Sequence, residues 1–179
     1  SKENKNLLLK YCWTLIERKN YGYDFGGYRD GVLFLSEKIR DLDKLILIND
    51  STWFPITNNN SFMDFIDNSN LDFIGATSHY GFKRQRLPSK KTDLSKPQFN
   101  FNNKNFHYAS YALSFSKKIL KDENFLKFWK NLRLSGTKNL VVRRGEIGLT
   151  QYVVKNKKYS HGSFINSEKL EDILKNFSK

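Results

Sequence analysis

The run Leu45-Ile46-Leu47-Ile48, entered from Lys44, stops abruptly at Asn49-Asp50-Ser51. Too short for an ordinary buried helix and lacking polar alternation, it reads as a strand covered on both faces, the kind found in α/β sheets. Residues 71 to 76 read as a second strand, and residues 108 to 116 alternate well enough for a third. Helical spacing fills the intervals. Residues 3 to 18 carry Leu7, Leu8, Tyr11, Cys12, Leu15 and Ile16 on one side, and residues 25 to 39 carry Tyr28, Val32, Leu35 and Ile39. Further helices are expected at 61 to 66, after a cap at Asp122 (with Phe125, Trp129 and Leu132), at 146 to 155, and from Ser167 onward. Strands interleaved with helices predict an α/β fold with a mainly parallel sheet flanked by helices, and ligands at the carboxyl ends of its strands.

At 179 residues the chain fits a single domain, and 15% aromatic residues supply apolar bulk for one core. No stretch approaches the ~20 apolar residues that cross a bilayer, and the start has no signal-like apolar core. Cys12 has no second cysteine to pair with, so it is expected as a small core residue in a reducing compartment. The formal charge of +13 attracts polyanions: nucleic acid, an anionic membrane surface or a phosphorylated small molecule. Residues 77 to 106 hold few aliphatics and the basic cluster Lys83, Arg84, Arg86, Lys90 and Lys91, and so form a long excursion, acceptor-side or membrane-facing.

Asp50 leaves a buried strand, where a carboxylate needs a partner such as a divalent cation carrying a diphosphate; opening an Asx turn is the plainer alternative. Asn20 to Gly27 gathers Asn20, Gly22, Asp24 and further glycines at a helix start, where backbone N–H groups receive anions, although Asp24 is equally suited to capping that helix. Glu146 opens a helical segment, as helix-start carboxylates do. His79, His107 and His161 are too scattered for a metal triad. His107 precedes the third strand, and Trp53 and Phe54 follow Asp50, where an aromatic ring can stack on a sugar or simply join the core.

Taken in order, N-Y-G-Y-D-F-G-G-Y-R-D-G (20 to 31), L-I-L-I-N-D-S (45 to 51), D-F-I-G-A-T (72 to 77), S-Y-A-L-S-F-S-K-K-I-L (110 to 120) and E-I-G-L-T-Q (146 to 151) resemble the rhamnan synthesis F family over most of the chain. The resemblance implies a GT-A-like, Rossmann-like glycosyltransferase that uses a nucleotide-sugar donor and a glycan or lipid-linked acceptor, often in rhamnose-containing polysaccharides. It also implies a cytoplasmic location, peripheral to the inner face of the membrane. By position it assigns donor binding to Asn20, Gly22, Asp24, Asn49 and Asp50, with Arg143 and Arg144 facing the departing diphosphate. His107, Tyr108 and Trp53 fall to acceptor or substrate, and Glu146 to the base that deprotonates the acceptor hydroxyl. A divalent metal, Mg²⁺ or Mn²⁺, would be held by Asp50, a single carboxylate where the family pattern usually has two or more. GT-A folds open with a strand and this chain opens with a helix, so 1 to 179 is expected to be one catalytic domain lacking the first strand, a segment of a longer protein.

Two readings from other classes stay open. A basic nucleic-acid-binding module would gather cations and aromatics on one face; carboxylates at 24, 50 and 146 oppose it, and nucleic acid is not expected as a partner. A catalytically inactive sugar-binding domain would keep the fold alone.

Overall fold

The computed structural model describes residues 2–50, 61–79 and 104–165. In chain order they form helix α1 (Lys2–Leu9), helix α2 (Tyr23–Phe34), strand β1 (Lys44–Ile48), helix α3 (Ser61–Asn68) and strand β2 (Phe73–His79). Strands β3 (His107–Tyr108) and β4 (Ala112–Ser116) follow, then helices α4 (Lys117–Leu120), α5 (Glu123–Asn131), α6 (Lys138–Val142) and α7 (Gly148–Lys155), and strand β5 (His161–Ile165). Trp53, Phe54, most of the basic excursion with its charge cluster, and the helix expected from Ser167 lie outside the described residues.

The sheet is mixed rather than mainly parallel. β4 lies between β1 and β2 and is antiparallel to both, while β5 pairs with β2 in parallel. β1, β2 and β5 therefore share one direction, and their carboxyl ends share one edge. The single strand expected at 108 to 116 is two, β3 and β4, and β5 was not expected from the sequence; nor does residue alternation say which strand lies beside which, so the intervening antiparallel strand is a decision of long-range packing.

Successive residues feed two cores. Leu45, Leu47, Phe73, Leu113 and Phe115 pack with Phe25, Tyr28 and Val32 of α2, Phe125 and Trp129 of α5, and Leu149 and Val153 of α7. On the other face Ile74, Ala76 and Ala112 meet Phe62 and Ile66 of α3. Each fully buried large apolar side chain contributes about 1.5–3 kcal/mol relative to exposure, so the rings of Phe25, Phe125 and Trp129 anchor α2 and α5 to the sheet.

Two irregularities decide where the site lies. Ser78 faces Tyr108 and His79 faces His107; in step, Tyr111 would stand opposite Gly75, but Leu113 does. The extra residues form a bulge over 109–111, a device that re-aims side chains beside functional sites. The second irregularity is a π-turn over Arg143–Ile147 inside a helical path that runs from α6 into α7. A Cβ on Gly145 would stand 2.5 Å from the Phe25 ring, so only glycine lets this turn approach α2 so closely.

The start of the chain differs from the sequence expectation. α1 ends at Leu9 rather than near residue 18, because other contacts hold the following segment: Lys5 pairs with Glu17, Trp13 meets Phe34, and Arg18 bonds both Asp30 at 2.6 Å and the Tyr21 carbonyl at 2.5 Å. Cys12 is exposed instead of in the core. No helix of the described residues is long and apolar enough to cross a membrane.

Candidate functional site

A cleft of about 180 Å³ opens at the carboxyl edge of β1, lined by Tyr23, Asp24, Phe25, Ser110, Lys138, Val141, Val142 and Glu146. Asp24 reaches it from the first turn of α2. The chain enters that helix through two left-handed residues, Gly22 at φ 88° and Tyr23 at φ 51°. A left-handed conformation at a non-glycine residue costs about 1 kcal/mol or more, and here the Tyr23 hydroxyl donates to the Gly136 carbonyl at 3.2 Å. The N-cap of α2 is Gly22, with no side-chain cap, so Asp24 is not spent on capping. Instead its Oδ2 accepts from the Asn49 side-chain amide at 2.9 Å. Asn49 is held there because its backbone N–H donates to the Tyr111 carbonyl of the bulge at 3.1 Å, extending the β1–β4 pairing one residue past Ile48.

Glu146 lies within the π-turn, not at a helix start, and its side chain is 17% exposed. Its Oε1 accepts from both the hydroxyl and the backbone N–H of Ser110, the latter at 3.2 Å. Ser110 is buried in the bulge, and its carbonyl accepts from the Tyr28 hydroxyl at 2.8 Å. Burial raises the Tyr28 phenol well above its ordinary range, with further upward pressure from Asp24, Glu146 and Asp50. These carboxylates therefore place a shared negative potential on one tyrosine. Oε2 of Glu146 lies 3.8 Å from Nε2 of His107, whose Nδ1 is 2.9 Å from the Asn105 carbonyl. The His79 ring stacks on His107 at 4.9 Å between centroids. Burial lowers the His79 pKa and His107 lowers it further, against an opposing pull from Glu146.

Thus Asp24, Asn49 and Glu146 come together, Asp50 follows on the same strand end, and His107 stands behind Glu146. Other expected site residues are placed elsewhere. Tyr108 is 1% exposed, packs over Gly75 and bonds His161 Nδ1 at 2.7 Å, which makes it a core residue rather than a substrate contact. Gly22 is buried against Leu134 and shapes the turn; Asn20 is exposed on the preceding loop. Arg143 and Arg144 are both exposed, and Arg144 donates to the Arg133 carbonyl at 3.3 Å and lines a separate groove beside α5. A helical path turns by about 100° per residue, so neighbours of Glu146 in sequence need not share its face. Lys138 is the lysine lining the cleft. Ser110, Lys138 and Tyr28 escape sequence reasoning; the one available signal was Gly145, a glycine beside a candidate acid, which marks close backbone approach.

Among the described residues no three His, Cys, Asp or Glu side chains are grouped to hold a metal ion. Asp24 and Asp50 are the carboxylates near this strand end, a number that suffices for Mg²⁺ only where other oxygen ligands complete its shell.

Comparison with known proteins adds the lineage. The chain is 35% identical over 148 residues to an uncharacterized protein, y4gN, of Sinorhizobium fredii, covering 83% of this chain and 34% of that protein. It is 29% identical over 150 residues to virulence protein VirA of Vibrio anguillarum, covering 81% of this chain and 40% of the relative. The chain thus spans about a third to two fifths of the curated relatives it matches. No solved structure matches it. The family model described as rhamnan synthesis protein F matches residues 1–179, the whole sequence, and the chain belongs to that family.

Proposed function

We propose that this chain is the catalytic part of a glycosyltransferase, GT-A-like in fold, that moves a sugar, with rhamnose the first candidate, from a nucleotide-sugar donor to a growing cell-surface polysaccharide or lipid-linked glycan. The family's description ties the chain to polysaccharide synthesis. The observation that carries the finer reading is Glu146: a carboxylate in a cleft at the strand ends, with Oε1 pinned by Ser110 and Asp24 lining the same cleft. A sugar hydroxyl is a weak nucleophile, and a positioned carboxylate that removes its proton in the transition state supplies about 10²–10⁴-fold.

Asp24, Asn49 and Asp50 take the donor side in this reading. Lys138 replaces Arg143 and Arg144 as the cation facing the diphosphate, because it lines the cleft. Asp50 is the protein ligand for Mg²⁺ or Mn²⁺, which would neutralise diphosphate charge when bound. Carboxylates in the cleft oppose a nucleic-acid phosphate backbone there. The protein works at the cytoplasmic face of the membrane, where activated sugars and lipid-linked acceptors meet.

The test uses the full-length protein. Thermal-shift screening of nucleotide sugars, with and without Mg²⁺ or Mn²⁺, identifies the donor, since a ligand of the folded state raises apparent stability. Glu146→Gln is expected to keep donor affinity and lose ~10²-fold or more in turnover, whereas Asp50→Asn weakens donor binding. Normal turnover in Glu146→Gln would remove the base assignment.

A further inference from the structure

The two oxygens of Glu146 have different surroundings. Oε1 is engaged by the Ser110 hydroxyl and amide, while Oε2 faces His107. A carbonyl oxygen can only accept, so His107 Nδ1, 2.9 Å from the Asn105 carbonyl, must carry a hydrogen. In the neutral ring that leaves Nε2 as a lone-pair nitrogen, 3.8 Å from Oε2. Oε2 and Nε2 are then both acceptors, so a proton delivered to Oε2 during turnover finds a lone pair across this gap. Both side chains are enclosed, 12% and 17% exposed, so water screens the pair poorly.

We propose that His107 is the positioning and proton-holding partner of Glu146, so that the base of this site is a Glu–His pair rather than a lone carboxylate. The inference rests on the reading of Glu146 as the base. In the transfer step the acceptor O–H bond breaks and Oε2–H forms, as the acceptor oxygen bonds to the anomeric carbon and the donor's nucleoside diphosphate departs with the electron pair of its C–O bond. The proton on Oε2 then passes to Nε2, giving an imidazolium beside a regenerated carboxylate, and leaves to solvent before the next cycle. Ser110 keeps Oε1 occupied, which directs the chemistry to Oε2.

The groups facing His107 support this role. From β2, His79 stacks on its ring, is itself kept low in proton affinity by burial, and adds no fixed charge when neutral. From the π-turn the facing group is Glu146. From α7, Thr150 and Gln151 bond the backbone at Tyr108 and Phe106 and are uncharged. The relay needs a lone pair on Nε2, since a nitrogen that already carries a hydrogen cannot take the proton from Oε2.

The test combines a spectroscopic and a kinetic readout on the full-length protein. Long-range ¹⁵N–¹H NMR of the imidazoles is expected to show His107 as the Nδ1–H tautomer at neutral pH; an Nε2–H tautomer overturns the proposal. His107→Asn keeps a donor near Nδ1 and deletes Nε2. It should lower kcat by about 10-fold or more, leave donor affinity unchanged and move the acid limb of the kcat profile. His107→Gln restores a polar group near Nε2 that cannot titrate; it should hold the fold and donor affinity without restoring that limb. A wild-type kcat and pH profile in His107→Asn, or full rescue by His107→Gln, overturns the proposal and leaves the Glu146 reading standing. Normal turnover in Glu146→Gln removes both.

Discussion

Asp72 and Glu146 are carboxylates of similar enclosure, 12% and 17% exposed, at opposite edges of one sheet. Asp72 precedes β2 at its amino end. Its Oδ1 accepts from the Ser116 hydroxyl at 3.0 Å, and its Oδ2 from Lys118 Nζ and the Ser160 amide, both at 2.9 Å, and from the Ser160 hydroxyl at 3.1 Å. Burial alone would raise the Asp72 carboxyl, but the Ser160 amide, the Lys118 ammonium and the hydroxyls outweigh it and hold the pKa below the ordinary value. Such a carboxylate joins β2, β4 and β5 and has little capacity left for a ligand. Glu146 has serine donors on one oxygen and a histidine across a gap from the other. The difference separates a carboxylate whose oxygens are both taken up in holding the sheet together from one with an oxygen turned to a histidine, as the proposed base role requires.

The largest expected effect on this contrast is kinetic. Glu146→Gln should cost ~10²-fold or more in turnover with little change in the urea midpoint, while Asp72→Ala should cost about 2–3 kcal/mol of stability through lost charge-assisted hydrogen bonds. Strong destabilisation by Glu146→Gln, or none by Asp72→Ala, would reverse the assignment of roles. Gly145→Ala comes next: a Cβ 2.5 Å from the Phe25 ring forces the π-turn off α2, at about 1–3 kcal/mol by denaturant titration, with turnover falling as Glu146 shifts. Unchanged stability would show that the turn has room to spare.

Acid titration sharpens the comparison further. Burial presses the Asp122 carboxyl upward, yet the hydrogen bonds from Lys158, Tyr159 and the Asn124 amide bring it down to about 2. A depressed folded pKa contributes stability that is present above the unfolded value of about 4 and is lost as pH falls through the folded one. Urea stability is therefore expected to decline between about pH 4 and pH 2, and Asp122→Asn should flatten that decline; an equally steep loss in the variant would exclude this source. The smallest effect belongs to Cys12→Ser. Because Cys12 is exposed, the change should lie within about 0.5 kcal/mol by thermal denaturation, and a larger loss would place the residue in a core after all.

β1 was legible in the sequence because four consecutive apolar residues have few alternatives, and the helix after Asp122 was legible because its cap bonds locally, Asp122 Oδ1 accepting from Asn124 at 2.9 Å. The first helix was over-read. Leu7, Leu8, Tyr11, Leu15 and Ile16 have helical spacing, but ion pairs from Lys5 and Arg18 to residues twelve positions away draw the chain out of the helix after Leu9. In the site, Asp24, Asn49 and Asp50 stood out because each sits where a regular element begins or ends. Ser110 did not, because a bulge is visible only against the register of its partner strand.

By itself the sequence determined part of the local inventory: the strands that became β1 and β2, the cap of α5, and the placing of Asp24 and Asp50 at element ends; it did not show β5, the break between β3 and β4, or the place of Glu146 inside a π-turn. Periodicity and capping act within about one helical turn, and the chain carries that information in adjacent residues. The tertiary structure decided the neighbours. The antiparallel insertion of β4, the bulge that presents Ser110, the π-turn passed close to Phe25 by Gly145 and the opposition of His107 to Glu146 all join residues far apart in the chain. Their geometry follows from how the two cores close around the sheet, because close packing fixes relative positions that no local preference specifies.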